Sequence, residues 1–194
     1  MGLCAQNVKK FGIEKNDSIP VGLAVGKQAP AIEVLNAAGE QVNPLNNGDQ
    51  YHVVVFYRGN WCSYCNRYLN SLNDSLSAIR RAGGSVIAIT PEPVDEIAGA
   101  AEAKGIKRYA DPNMKAIRAF DGDFIVTERY QEQLLENTGM QLAVHNDQAI
   151  AELPVPATYV IAPSGDIIFR HFEYDYAKCA RIQDIIDSIN SHRD

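Results

Sequence analysis

No stretch of this 194-residue sequence holds the run of about 18 apolar residues that a membrane-spanning helix needs, so no membrane segment is expected. The opening MGLCAQNVKKFGIEKNDS contains no apolar stretch of signal-peptide length either. Met1-Gly2 begins like an acylation signal, but Gln6 stands where that pattern requires serine or threonine. Excess positive charge is also lacking: 18 Lys and Arg face 24 Asp and Glu, for a net charge of −6. Phosphate binding wants clustered cations, and basic runs such as Lys9-Lys10 and Arg80-Arg81 are only two residues long, so nucleic acid is not an expected partner. The expected location is the cytoplasm.

Cysteine and histidine are scarce. Four cysteines, at 4, 62, 65 and 179, are too few and too scattered for a disulfide scaffold. The four histidines, at 52, 145, 171 and 192, form no pair at zinc-ligand spacing and do not complement the cysteines, so neither a metal nor another cofactor is expected. No internal repeat or low-complexity segment is present.

What remains is the composition of one packed domain, 46% hydrophobic and 22% charged. Residues 1–24 are polar and irregular and read as a loosely held arm; residues 25–194 read as a single domain. APAIEVLNAAGEQVNPL predicts two short strands around a turn at Ala38-Gly39. HVVVFY (52–57) and SVIAIT (85–90) are continuous apolar runs, as in strands buried on both faces. ATYVIA (157–162) and DIIFRHF (166–172) flank Pro163-Ser164-Gly165, a hairpin signal. Between them fall helical patterns. Positions 65, 68, 69, 72, 76 and 79 share one helix face, which Gly83-Gly84 ends. Residues 94–105 form a second, weaker helix, and Asp111-Pro112 predicts a capped third through Phe120. Thr127 opens another that ends at Gly139, and Ile182, Ile185, Ile186 and Ile189 mark a final helix. Alternating strands and helices closed by an antiparallel hairpin and a helix predict a thioredoxin-like α/β sandwich: a mixed sheet with helices on both faces and an insert at 122–153.

The chemistry gathers at WCSYCNRYLNSL (61–72). A C-x-x-C pair is half of a zinc site, a redox dithiol, or two inert core thiols. Here a buried strand and the short loop RGNW precede it and a helix follows. That puts Cys62 at the helix start and Cys65 one turn in, where free backbone N–H groups and the helix dipole favour a thiolate. Such cysteines fall from about 8.5 to roughly 3.5–7.5 in pKa. A thiolate there attacks a disulfide or a peroxide O–O bond, and the second sulfur is within closing distance. Arg58 is the candidate cation beside the sulfurs, with Arg67 second. Trp61 either shields the site or plugs the loop. Tyr57, Tyr64 and Tyr68 read as core aromatics, and Glu92, Asp95 and Glu96 as charges matched to a helix N-terminus. Cys179 reads as a buried core thiol on the stripe of the last helix, and Cys4 as an idle thiol in the arm.

FYRGNWCSYCNRYL, the entry VGKQAPAIEVLNAAGEQV and the return LPVPATYVIAPSGDIIF together resemble the peroxiredoxin-like branch of the alkyl hydroperoxide reductase/thiol-specific antioxidant family, over residues 25–192. The resemblance implies a thioredoxin fold and an antioxidant thiol oxidoreductase that cycles through a Cys62–Cys65 disulfide. Its implied partners are a peroxide or disulfide substrate and a thioredoxin- or glutathione-type reductant; a homodimer is an allowed state. The peroxiredoxin loop pattern P-x-x-x-T-x-x-C, laid on this chain, puts Arg58 at the proline, Cys62 at the threonine and Cys65 at the peroxidatic cysteine. The thioredoxin pattern W-C-x-x-C makes Cys62 the attacking residue instead. Pro156 stands where peroxiredoxins carry an arginine, and the thioredoxin resemblance implies that it is a cis-proline facing the dithiol. The alternatives are a thiol–disulfide oxidoreductase without peroxidase activity and a non-catalytic redox-sensing or binding module on the same fold.

Overall fold

A computed structural model describes residues 8–14, 19–46, 48–101 and 105–193. Cys4 lies outside the described residues. The expected entry hairpin is present: β1 (Val34–Leu35) pairs antiparallel with β2 (Gln41–Val42) across the turn at Ala38-Gly39. Then come β3 (Tyr51–Phe56), α1 (Ser63–Asp74), α2 (Leu76–Arg81), β4 (Gly84–Thr90), α3 (Val94–Ala101), β5 (Lys107–Ala110) and α4 (Lys115–Ala119). The inserted segment holds β6 (Asp123–Ile125), α5 (Glu128–Thr138), α6 (Leu142–His145) and β7 (Glu152–Pro154). The chain returns through β8 (Ala157–Ile161) and β9 (Ile167–Phe172) to α7 (Ile182–Arg193).

The main sheet has seven strands in the order β2-β1-β5-β4-β3-β8-β9. β3, β4 and β5 are parallel, and β8 pairs antiparallel with both β3 and β9. β3 is central, and every residue in it is buried. Side chains alternate across the sheet. Val53 and Val55 join Leu69, Leu72, Ile79, Ile185 and Ile189 from α1, α2 and α7. Val54 and Phe56 face Ile117 of α4, Phe120 and Tyr159 on the other side. Fully buried side chains such as Leu69, Leu72 and Ile79 contribute roughly 1.5–3 kcal/mol each. This is the expected mixed sheet with helices on both faces.

Local details depart from the sequence reading. The helix expected from Cys62 to Gly83 breaks at Ser75, whose N–H bonds the Leu72 carbonyl at 3.1 Å, three residues back, and so tightens the turn. The helix expected to open at Asp111-Pro112 starts three residues later, at Lys115, and its N-cap is Met114, in a left-handed conformation, rather than Asp111. The Asp111 carboxylate still accepts the Ile117 N–H at 2.9 Å.

The insert builds a small second layer. β6 and β7 pair antiparallel, apart from the main sheet. Thr127 precedes α5, and Gly139 ends it with φ +72°, the left-handed conformation that glycine adopts freely. A third cluster of Phe124, Val126, Leu142, Leu153 and Val155 takes in Val8 and Ile13 of the arm. A loosely held arm over 1–24 therefore does not describe residues 8–13. Val8 and Ile13 are buried, Ile13 bridges Val126, and the Gly12 carbonyl accepts the Thr127 N–H at 2.9 Å.

Candidate active site

β3 ends at Phe56, and residues 57–62 carry the chain over the end of the sheet into α1. Cys62 is the N-cap of α1. Its backbone is extended (φ −81°, ψ 105°), and its sulfur accepts the Cys65 N–H at 3.4 Å. The pair is a free dithiol. Both cysteines are nearly inaccessible, Cys62 at 4% and Cys65 at 5%, so exposure does not separate the two sulfurs.

Electrostatics does separate them. The Cys62 thiol is pulled down to about 6. The first cause is the hydrogen bond from the Cys65 thiol, with the Arg58 charge and the backbone N–H groups of Cys65 and Tyr64 adding to it against the opposing effect of burial. Cys65 is pushed well above the ordinary thiol value by the same bond, by burial and by the Cys62 charge. Both shifts favour the charge on Cys62 over Cys65.

Arg58, the candidate cation, is buried, at 3% exposure. Its guanidinium donates to the Tyr130 hydroxyl at 2.6 Å. It lies 4.3 Å from the Tyr176 ring centre, 4.7 Å from that of Trp61 and 5.4 Å from that of Tyr130. Among the described residues it meets no carboxylate at ion-pair distance. A buried charge without a counter-ion costs several kcal/mol, and the Arg58 charge helps to lower the Cys62 thiol. Arg67 is exposed, stacked on Tyr64 at 4.5 Å. Trp61 therefore serves as one wall of the arginine cage, and its rim also packs on the insert's cluster.

Pro156 lines a narrow, mostly apolar cleft with Cys65, Tyr68, Thr158, Tyr176 and Cys179. It thus lies on the Cys65 side of the dithiol. Its peptide bond is trans, since no cis bond occurs among the described residues; this corrects the cis-proline expectation. The backbone runs extended from β7 into β8, the Val155 N–H bonds the Gly122 carbonyl at 2.7 Å, and trans is the default isomer for such a segment. Cys179 is half-buried and precedes α7 rather than riding its stripe; burial, then the Cys62 charge, pushes its thiol up to about 11.

Several participants escaped the sequence reading. Tyr130 comes from the insert, and Tyr176 from the loop after β9; Phe172 at the end of β9, Tyr174 and Tyr176 form a dense aromatic run in a chain only 8% aromatic. Asn60 is a hub of the loop. Its side-chain N–H donates to the Glu96 carbonyl at 2.7 Å, its side-chain oxygen accepts from Arg108 at 2.5 Å, and its carbonyl accepts from Asn66 at 2.5 Å. Glu92 is not a surface charge at a helix start: it is fully buried and accepts the Asn60 N–H at 2.7 Å.

Comparison with known proteins gives the family and the fold. The AhpC/TSA family model matches residues 25–170. No curated protein matches the chain. Among solved structures, the peroxidoxin BcpB of Mycobacterium tuberculosis superposes with a TM-score of 0.67 at 14% identity, covering 89% of this chain and 99% of its own. Peroxiredoxin Q of Xanthomonas campestris gives 0.65 at 14%, covering 88% and 100%. AhpC of Enterococcus faecalis gives 0.63 at 12%, covering 87% and 92%. At these identities the neighbours establish the thioredoxin-like fold of the peroxiredoxins, and the family model, spanning most of the chain, establishes membership. This protein belongs to the AhpC/TSA family.

Proposed function

We propose that this protein is a thiol peroxidase whose attacking residue is Cys62 and whose resolving residue is Cys65. The carrying observation is the charge asymmetry of the pair: the Cys62 sulfur takes hydrogen bonds from Cys65 at the N-cap of α1 and faces the caged Arg58. The Cys62 thiolate attacks the distal oxygen of a hydroperoxide and displaces the alcohol, with a proton completing the leaving oxygen. Cys62 becomes a sulfenic acid. The Cys65 sulfur then attacks the Cys62 sulfur, and the Cys65 proton leaves with the hydroxyl as water. One peroxide and two thiols have become an alcohol, water and a Cys62–Cys65 disulfide. A thioredoxin- or glutathione-type thiol reduces that disulfide by exchange. Residues 25–194 supply the whole site apart from the arm's packing, and a reducing, cytoplasmic setting suits a resting dithiol. Pro156 flanks the sulfurs as part of the cleft wall.

The peroxiredoxin frame marks Cys65 as the peroxidatic sulfur, whereas the lowered thiol is Cys62, the attacking position of thioredoxins. That observation favours a second reading, disulfide reduction through the same cysteines without peroxidase activity. Intact-mass analysis after one equivalent of hydrogen peroxide tests both. The proposal expects Cys65→Ser to gain one oxygen on Cys62 and Cys62→Ser to remain unmodified. A sulfenic acid on Cys65 in Cys62→Ser would restore the peroxiredoxin assignment. Wild-type oxidation no faster than that of a free thiol would leave only the disulfide reading.

A further inference from the structure

The insert touches the dithiol loop at a second point, away from the sulfurs. Glu92 follows β4, and its carboxylate is 0% exposed. One oxygen accepts the Asn60 N–H at 2.7 Å, and the other meets His145 Nε2 at 2.9 Å. The Thr90 hydroxyl lies 3.4 Å away. His145 is the last residue of α6, held by the buried Leu142 three residues earlier. Burial pushes the Glu92 carboxyl up, and the bonds from His145 and Asn60 oppose that rise.

Glu92 reaches the loop because residue 59 is glycine. Gly59 has φ +155°, and a Cβ there would lie 2.8 Å from a Glu92 carboxylate oxygen and collide with the Trp61 indole nitrogen. The next links run toward the sulfurs. The Gly59 carbonyl accepts the Cys62 N–H at 3.1 Å, and the Asn60 carbonyl accepts from Asn66 in α1 at 2.5 Å. Hydrogen bonds thus run without a gap from α6 of the insert through Glu92 and Asn60 to the helix that carries both cysteines. Glu92, Glu96 and His145 bring their potential metal-ligating atoms within 4.8 Å of one another. The Glu92 oxygens, however, already face the Asn60 amide and the His145 ring nitrogen, which identifies a hydrogen-bonded link rather than a metal site.

We propose that His145 is a positioning residue for the dithiol: it fixes Glu92, and Glu92 fixes the Gly59-Asn60 backbone that places Cys62 against Arg58 and the end of α1. The inference rests on the reading of Cys62 as the attacking thiolate. It gives the insert a task, since Tyr130 grips Arg58 from the same segment. Removing the His145 donor lets Glu92 turn, and the loop loses its anchor two residues before the sulfur. Small displacements of a reacting group are costly in rate.

The test measures two quantities on the full-length reduced protein: the pH dependence of Cys62 alkylation and the rate of oxidation by hydrogen peroxide. The expected result in His145→Ala is an oxidation rate about tenfold lower, the size typical of one lost buried hydrogen bond, with the alkylation profile moved to higher pH. His145→Gln, which keeps an N–H donor, is expected to recover most of both. Glu92→Gln keeps the shape, weakens the acceptor and falls with His145→Ala; it carries the test if the alanine variant does not fold. A chelator leaves the wild-type rate unchanged. The inference is overturned by wild-type behaviour in folded His145→Ala or in Glu92→Gln, by equal loss in His145→Ala and His145→Gln, or by a chelator-sensitive rate. A wild-type Cys62 that neither alkylates at neutral pH nor oxidises faster than a free thiol would instead overturn the proposed function.

Discussion

The dithiol segment and the inserted segment make opposite demands on a reader of this sequence. Residues 52–72 are locally determined. An all-buried strand, a short loop and an amphipathic helix put Cys62 at an N-cap, and each step follows from neighbours a few positions away. Residues 122–153 fold into a small sheet and two helices whose use is entirely non-local. Tyr130 reaches Arg58 across 72 positions, and His145 reaches Glu92 across 53. The first segment supplies the sulfur and the helix end. The second supplies much of what surrounds them. A thiolate made by the local motif alone would survive damage to the insert, whereas one made by both would not.

The largest expected effect breaks the first half of that pair. Cys62→Ser removes the attacking sulfur, and stopped-flow fluorescence of Trp61 is expected to show no fast phase with peroxide. Next comes Arg58→Met, which keeps the apolar stem within the aromatic cage and deletes the charge. Losing a nearby cation raises an acidic group's pKa by roughly 1–3 units, and a rise of about 2 units from about 6 cuts the thiolate present at pH 7 about tenfold. Thiolate absorbance against pH checks it; an unmoved titration would assign the low value to Cys65 and the helix end alone. Tyr130→Phe is smaller. It deletes the 2.6 Å bond to Arg58 and leaves the ring stacked, so a few-fold loss is expected, consistent with about 1 kcal/mol for one hydrogen bond. If Tyr130→Phe equalled Arg58→Met, the hydroxyl rather than the guanidinium would be the effective group. Cys179→Ser is the smallest. Its thiol is pushed up to about 11, so little thiolate exists at neutral pH, and turnover is expected to be unchanged. A slower return to the dithiol in that variant would bring Cys179 into the cycle.

This comparison also explains what was legible in the sequence. The buried strands, the entry hairpin, the final helix and the redox pair follow from apolar periodicity and short-range spacing. Asp111 does bond the first turn of α4 through the Ile117 N–H, but the N-cap is Met114, because residues 112–114 turn before the helix begins. Arg58 was readable by adjacency to the sulfurs, but its aromatic cage was not, since Tyr176 and Tyr130 are brought in by the closing loop and the insert. Glu92 looked like a helix-start charge because sequence does not reveal that the dithiol loop covers it. Pro156 was placed beside the sulfurs by analogy, and it does border the Cys65 cleft, but in a trans peptide.

The pH response follows from the direction of each shift. Cys62 is lower in the folded dithiol than in an unfolded chain. Its contribution to the stability of the reduced protein is therefore complete above the unfolded value and lost as pH falls through about 6. Cys65 is raised, so its contribution is complete below the unfolded value and lost in alkaline solution. Stabilising the reduced form also makes the disulfide a stronger oxidant.

The most direct test of the central claim is the pH dependence of alkylation of the reduced wild-type protein, with each cysteine followed separately by peptide mass spectrometry. The account predicts that Cys62 is labelled first, with a rate that rises through about pH 6 and then levels, while Cys65 stays unlabelled at neutral pH. Labelling of Cys65 ahead of Cys62, or a Cys62 profile rising only near the value of about 8.5 for a free thiol, would contradict it.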